Sequence, residues 1–264
     1  MIGRTNVLPS NPIPWHGAPQ DFTGDNNLGI YTSETTQRYV YGTRYITWDG
    51  RVYKYTGVTT GGCKSHVAVS NDSAAITDWV ASTVAAAGDI EFVVTDTSIA
   101  QDRLAGAMLV LYKATIANST RHWIVGNDKD NGTNVRCYLE FPLPAAATIS
   151  DSIEIFENPY RAVEQHLTGG LEQFGAWIGV PCTTAATGYN VWTQTWGPTL
   201  IGPGNTTLDD AAANERMVVF VESGTLHEVN VAGVTAGYQQ FAGYILNNGT
   251  AGIAGPQIYL MCST

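Results

Sequence analysis

The sequence predicts an all-β protein, mainly antiparallel sandwich- or barrel-like modules, with an extended N-terminal arm and at most one or two short helices. Three observations carry this expectation. Short runs rich in Val, Ile, Thr, Tyr and Trp recur along the chain, separated by Gly, Asp-Gly and Asn-Gly turn signals. Charged residues make up only 14% of the chain and hydrophobic ones 44%, against about 25% charged in ordinary globular domains. An apolar period of 3.6 residues is never sustained beyond about fifteen residues.

Taken in order, residues 1–30 come first. Pro9, Pro12, Pro14 and Pro19 lie there among Asn, Gly and Asp. Proline lacks the N–H that a sheet ladder needs, so this stretch reads as an extended arm. Its Ile13, Trp15 and Phe22 are more apolar than a solvated tail requires, which suggests an arm lying along another subunit. The competing reading folds the arm back on its own domain. Next, Tyr45–Trp48 and Arg51–Tyr55 flank Asp49-Gly50, the signature of a two-residue type I′ hairpin turn. Ser73–Ala87 is the best helix candidate by propensity, weakened by its Thr, Val and Ile.

Strands are expected at Asp89–Val94 and Ala107–Tyr112. Arg121–Val125 and Val135–Glu140 form a second hairpin around the loop GNDKDNGTN. Ser152–Phe156 alternates as a strand, and a short helical turn follows within Glu157–His166. The last hundred residues read as six short strands: Gly175–Pro181, Tyr189–Trp196, Arg216–Glu222, His227–Val231, Gln240–Leu246 and Gln257–Cys262. Length allows one large or two modest β units. The division expected is 1–30 arm, 31–165 N-terminal β domain and 166–264 C-terminal β domain, or a single unit joining the last two.

Net charge is −10, with only four lysines and no Lys/Arg cluster. No phosphate-tracking stripe exists, so nucleic acid is not expected as a partner. No stretch of 18 apolar residues occurs, so no membrane-spanning helix is expected. Cys63, Cys137, Cys182 and Cys262 lack metal-ligand spacing and are expected as buried free thiols. Asp128–Gly132 echoes a calcium loop, but Gly132 falls where a ligand belongs, which leaves a hairpin turn. The five histidines share no ligand spacing, and no HExxH, GxSxG or Walker sequence occurs. Glu91, Asp209 and Asp210 could serve as acid/base carboxylates only if the fold brought them together across a cleft. No catalytic, cofactor-binding or metal residue is expected.

Aromatic residues leave one question open. Trp192 and Trp196, four apart in an alternating run, fall on one strand face. They could form a sugar-stacking platform with Trp48 and Trp123, or pack in a core or subunit seam.

Several blocks then resemble tailed-bacteriophage virion proteins, specifically the head-decoration (capsid cement) family. They are GTRYITWDGRVYKYTGVTTGG, AAAGDIEFVVTDTSIAQDRLAGAMLVL, WIVGNDKDNGTNVRCYLEFPLPAAATISDSIEIFENPYRAV, GVPCTTAATGYNVWTQTWGPTLI and VTAGYQQFAGYILNNGTAGIAGPQIYLMC. Together they cover most of residues 40 to 262. The resemblance implies a non-enzymatic protein, made in the host bacterial cytoplasm, that binds the outside of the assembled head. Its partners would be the major capsid protein and itself, as a homotrimer. Ile13, Trp15, Phe22, Trp192 and Trp196 are the expected interface residues. The alternative is a receptor- or carbohydrate-binding adhesin module of a tail or head fibre.

Overall fold

A computed structural model describes residues 29–59, 61–71, 76–81, 83–113, 115–149, 151–165, 175–201, 216–220, 224–228, 240–247 and 256–262. Ile13, Trp15 and Phe22 lie outside the described residues, as do Asp209 and Asp210. Sixteen strands and one 3₁₀ turn, Ile116–Asn118, are assigned there, which makes the protein all-β as expected. The chain divides into two units: 1–73 with 159–264, and 74–158. The sequence reading put the boundary at 165/166. The structure instead makes the middle of the chain an insertion, because early strands pair with partners more than a hundred residues later.

The host unit holds β1 (Arg44–Ile46), β2 (Val52–Gly57), β3 (Val69–Asn71), and then β10 (Val163–Glu164), β11 (Trp177–Pro181), β12 (Asn190–Leu200), β13 (Met217–Phe220), β14 (Leu226–Glu228), β15 (Gln240–Asn247) and β16 (Gln257–Met261). These form one sheet in the order β10-β3-β11-β12-β16-β15-β13-β14, with β2 on β12 and β1 on β2. The two strands flanking the insertion pair with each other, Asn71 opposite Val163 and Ser70 opposite Glu164. A β10 strand thus stands where a helical turn was expected.

The first hairpin forms, but its turn differs from the expectation. Gly50 alone has positive φ, at 84°. Its N–H bonds Thr47 O at 3.0 Å, and Thr47 N–H bonds Arg51 O at 3.0 Å. This is a three-residue loop, Trp48-Asp49-Gly50, with the glycine forming the bulge. The Asp49 carboxylate locks it, accepting from Thr47 Oγ1 and from Arg51 Nε at 2.8 Å. Partial burial pushes that carboxyl up, but the Thr47 and Arg51 hydrogen bonds and the Arg51 charge outweigh it and hold it below its usual range.

The inserted unit holds β4 (Ile76–Val80), β5 (Glu91–Thr95), β6 (Met108–Tyr112), β7 (Thr120–Asn127), β8 (Asn134–Leu139) and β9 (Ser152–Phe156). Its order is β4-β9-β6-β7-β8-β5, and a bridge between Ala81 and Val94 joins the two outer strands into a circuit. Ser73–Ala87 is therefore not a helix. Its β-branched residues pair with β9, Ile76 opposite Ile155 and Val80 opposite Ser152, and tertiary pairing overrides a marginal helix propensity. Burial alternates along β5, β6 and β9, so one face fills the core with Phe92, Val94, Leu109, Leu111, Ile153 and Ile155. The β7–β8 hairpin forms as predicted. Its loop is closed by its own groups: Asp130 accepts from Gly132 N–H at 3.1 Å and Asn131 from Asn134 N–H at 2.8 Å.

Candidate binding surfaces

β12 decides where the tryptophans point. Its first half pairs with β2, setting Trp192 opposite Tyr55 and Gln194 opposite Tyr53. The register then slips, so that Trp196 lies opposite Val52. Thr195 is the extra residue of a bulge, and a one-residue slip moves the following side chains to the other face. Trp192 and Trp196 are therefore on opposite faces, not the shared face that their spacing suggests.

Trp192 is core. Only 3% of its surface is exposed, and it sits among Tyr55, Tyr39 and Tyr45 at ring-centroid distances of 5.3, 5.5 and 5.9 Å. Edge and tilted contacts of this type suit aromatic quadrupoles. The surrounding hydroxyls are satisfied at the rim of the cluster: Tyr55 donates to Glu34 at 2.9 Å, Tyr41 donates to Asn190 at 2.9 Å, and Tyr53 accepts from Arg51 at 3.0 Å. Burial pushes the Tyr53 and Tyr55 hydroxyls well above their ordinary range, so both stay protonated.

Trp196 is half-buried and belongs to an apolar surface that sequence reasoning missed. The strand does not stop at Gly197-Pro198, as expected, but runs to Leu200. Cys262 N–H bonds Thr195 O at 3.0 Å, so odd-numbered residues of β12 exchange bonds with β16. Pro198 then turns its donor-less nitrogen to the other edge, where β2 has ended. Two rows of directly opposed residues follow. One is Ile46–Val52–Trp196–Met261, across β1, β2, β12 and β16, with Val52 itself buried. The other is Pro198–Tyr259–Tyr244–Met217, across β12, β16, β15 and β13. Tyr244 and Tyr259 stack at 5.2 Å with planes 4° apart, and Trp196 stands edge-on to Tyr259 at 5.7 Å. Gly243, at φ 148°, permits the close approach of β15 and β16, since a Cβ there would lie 1.9 Å from Tyr259 O. Tyr244 is 39% exposed and Met217 54%, and none of these eight residues is charged.

A second row lies on the inserted unit. Phe156, Met108 and Trp123 are directly opposed on β9, β6 and β7. Trp123 is 52% and Phe156 41% exposed, while their strand neighbours Ile124 and Ile155 fill the core behind them. Trp48, at the tip of the locked first hairpin, is 93% exposed. Of the four tryptophans weighed as a platform, the fold buries Trp192 and leaves Trp48 and Trp196 of the host unit and Trp123 of the inserted unit at least partly exposed. The signal for Tyr244, Tyr259 and Phe156 was present as alternation, but both faces of those strands carry apolar residues and sequence alone does not say which is inside.

Among the described residues no group of His, Cys, Asp and Glu is placed to hold a metal ion. All four cysteines are free. Burial pushes the Cys63 thiol up to about 11 and those of Cys137, Cys182 and Cys262 up to about 12, which leaves them poor nucleophiles near neutrality. Glu91 pairs only with Arg136, at 3.6 Å on the surface. Comparison with family models, with curated proteins and with solved structures returns no match for this chain.

Proposed function

We propose that the protein is a non-enzymatic component of a tailed-bacteriophage particle, a decoration protein that binds the outside of the assembled head and holds neighbouring capsomers together. It is made in the host bacterial cytoplasm, and its partners are the major capsid protein and other copies of itself in a homotrimer. The observation that supports this reading is the Phe156–Met108–Trp123 row. It sets an aromatic row on a sheet face, backed by a packed core and flanked on the same face by Glu154 and Arg121, in a chain of net charge −10. Exposed Trp and Met at the centre of a patch are the residue types that anchor protein interfaces.

The test is co-sedimentation of the purified protein with empty heads that lack it. Trp123→Ala combined with Phe156→Ala should weaken binding by about ten- to a hundredfold, which corresponds to about 1.4–2.8 kcal/mol, at unchanged melting temperature. Unchanged binding would rule out this surface.

Trp48 favours the second reading, a carbohydrate-binding adhesin, because an exposed indole on a locked loop is suited to stacking on a sugar ring. A glycan array is blank under the first reading. Sugar binding that disappears in Trp48→Ala would establish the second.

A further inference from the structure

We infer that Arg44 and Lys54, on the outer face of the β1–β2 hairpin, form a binding site for a carboxylate attached to an apolar group, as an acidic peptide segment presents it. The two residues are directly opposed, while Tyr45 and Tyr53 between them point the other way, into the aromatic core. Tyr55 N–H bonds Thr43 O at 3.0 Å and Thr47 N–H bonds Arg51 O at 3.0 Å. Residues 43, 45 and 47 are therefore the hydrogen-bonded positions, and Arg44 opposite Lys54 is a non-hydrogen-bonded pair. Such pairs bring their Cα atoms to about 4.5 Å and their side chains closest. Like charges facing each other there destabilise a sheet.

No carboxylate among the described residues offsets this repulsion. Arg38, Arg51, Arg103, Lys113 and Arg136 each pair with an acidic side chain. Arg44 and Lys54 do not, in a chain with 23 acidic residues against 13 basic ones. Lys54 is half-buried, its ammonium 5.6 Å from the centre of the Tyr160 ring. Burial first, and then the Arg44 charge, hold that ammonium below its ordinary range. An anion seated between the two side chains converts the repulsion into charge-assisted hydrogen bonds, and the Arg44 fork matches the two oxygens of a carboxylate.

The surroundings define what the anion is attached to. Ile46 and Val52 form the next row of the same face, about 6.8 Å along the strands, with Trp196 opposite Val52. Ile46 is exposed and Trp196 partly so. A ligand whose charge sits at Arg44 and Lys54 therefore lays its body over these two side chains. Phosphate sites draw on clustered backbone N–H groups or a helix N-terminus, whereas the N–H groups of β2 are spent on β1 and β12. Two side-chain donors suit a carboxylate better than a phosphoryl group. Ile46 offers no partner to a sugar's hydroxyls, so the apolar side chain of an acidic peptide segment fits it better than an acidic saccharide.

The experiment uses the full chain grown with lysine carrying carbon-13 at Cε, which gives one nuclear magnetic resonance signal for each of its four lysines. Lys54→Arg assigns the Lys54 signal. The probes are phenylbutyrate, acetate, glucuronate, inorganic phosphate and the uncharged phenylbutanol. The expected result is a saturable shift of the Lys54 signal by phenylbutyrate, with a Kd at least about tenfold below those of acetate, glucuronate and phosphate, a gap of about 1.4 kcal/mol. Phenylbutanol should leave the signal in place. Arg44→Gln should weaken phenylbutyrate binding several-fold, and Ile46→Ser should reduce its advantage over acetate, each with an unchanged circular dichroism spectrum. Equal shifts at the exposed Lys64 and Lys129, phosphate or glucuronate binding as tightly as phenylbutyrate, or undiminished binding to Arg44→Gln would each overturn the inference. Neither a head nor Trp123 enters the measurement, so the outcome is independent of the shell-binding test.

Discussion

Trp192→Ala and Trp196→Ala should differ sharply in cost, although the two residues sit four apart on one strand. Trp192 loses a nearly complete burial and three aromatic contacts within 6 Å. Large-to-small changes at such sites cost about 3–5 kcal/mol, and Tyr55 beside it is held by hydrogen bonds with Glu34 and Arg38 N–H and cannot readily collapse into the gap. Trp196 is only partly buried and makes an edge-on contact with Tyr259. Burying about two thirds or more of such a side chain, with no cavity enclosed on its removal, is worth about 2 kcal/mol. Urea unfolding followed by far-ultraviolet circular dichroism, with the host-unit transition fitted separately, measures both. Because the side chains occupy opposite faces, the double variant should cost the sum within about 0.5 kcal/mol. Equal single costs, or strong coupling, would refute the bulge at Thr195 and return both residues to one face.

Two further outcomes follow from particular contacts. Gly243→Ala should destabilise the host unit by about 4 kcal/mol or more, since its Cβ would strike the Tyr259 carbonyl; a melting temperature within 2–3 °C of the parent, which is about 1 kcal/mol at this chain length, would refute that geometry. The Asp151 carboxyl is raised by partial burial, but hydrogen bonds from the Lys113 ammonium and Thr148 N–H hold it, on balance, below its ordinary range. Its folded pKa being depressed, its contribution is present above the unfolded value of about 3.9 and is lost as pH falls through the folded value. The stability gap between the parent and Asp151→Asn, taken from melting curves, should therefore be constant above about pH 5 and close towards pH 2. A gap independent of pH would show that the ion pair with Lys113 is not its source.

Local signals were legible and long-range ones were not. The two hairpins could be read because turn residues and alternation lie within twenty residues of each other. Even so, only Gly50 of Trp48-Asp49-Gly50 adopts positive φ, where the Asp-Gly dipeptide suggested two such residues. The stretch Ser73–Ala87 failed because its alanines speak for a helix while its partner strand, Ser152–Phe156, lies about seventy residues away. The unit boundary failed for the same reason: nothing near Val52–Gly57 announces that its partner is Asn190–Trp196. The bulge at Thr195 has no sequence marker beyond the following Gly197. Period-two reasoning is valid only up to such a slip, so the candidate surface around Trp196 became visible only with the register in hand.

The pairing of β2 with β12 also fixes a timetable. About 135 residues separate Tyr55 from its partner Trp192, so at a synthesis rate of roughly 5–20 residues per second β2 waits roughly 7–27 s for its neighbour. During that interval the entire inserted unit emerges, with β4 and β9 bringing its own ends together. It can therefore complete its core while Tyr53 and Tyr55 of the host are still uncovered. The arrangement makes the middle of the chain the first part to mature on the ribosome and the outer segments the last. Premature termination after β9 would leave a finished inserted unit attached to an unpaired, aromatic-rich strand.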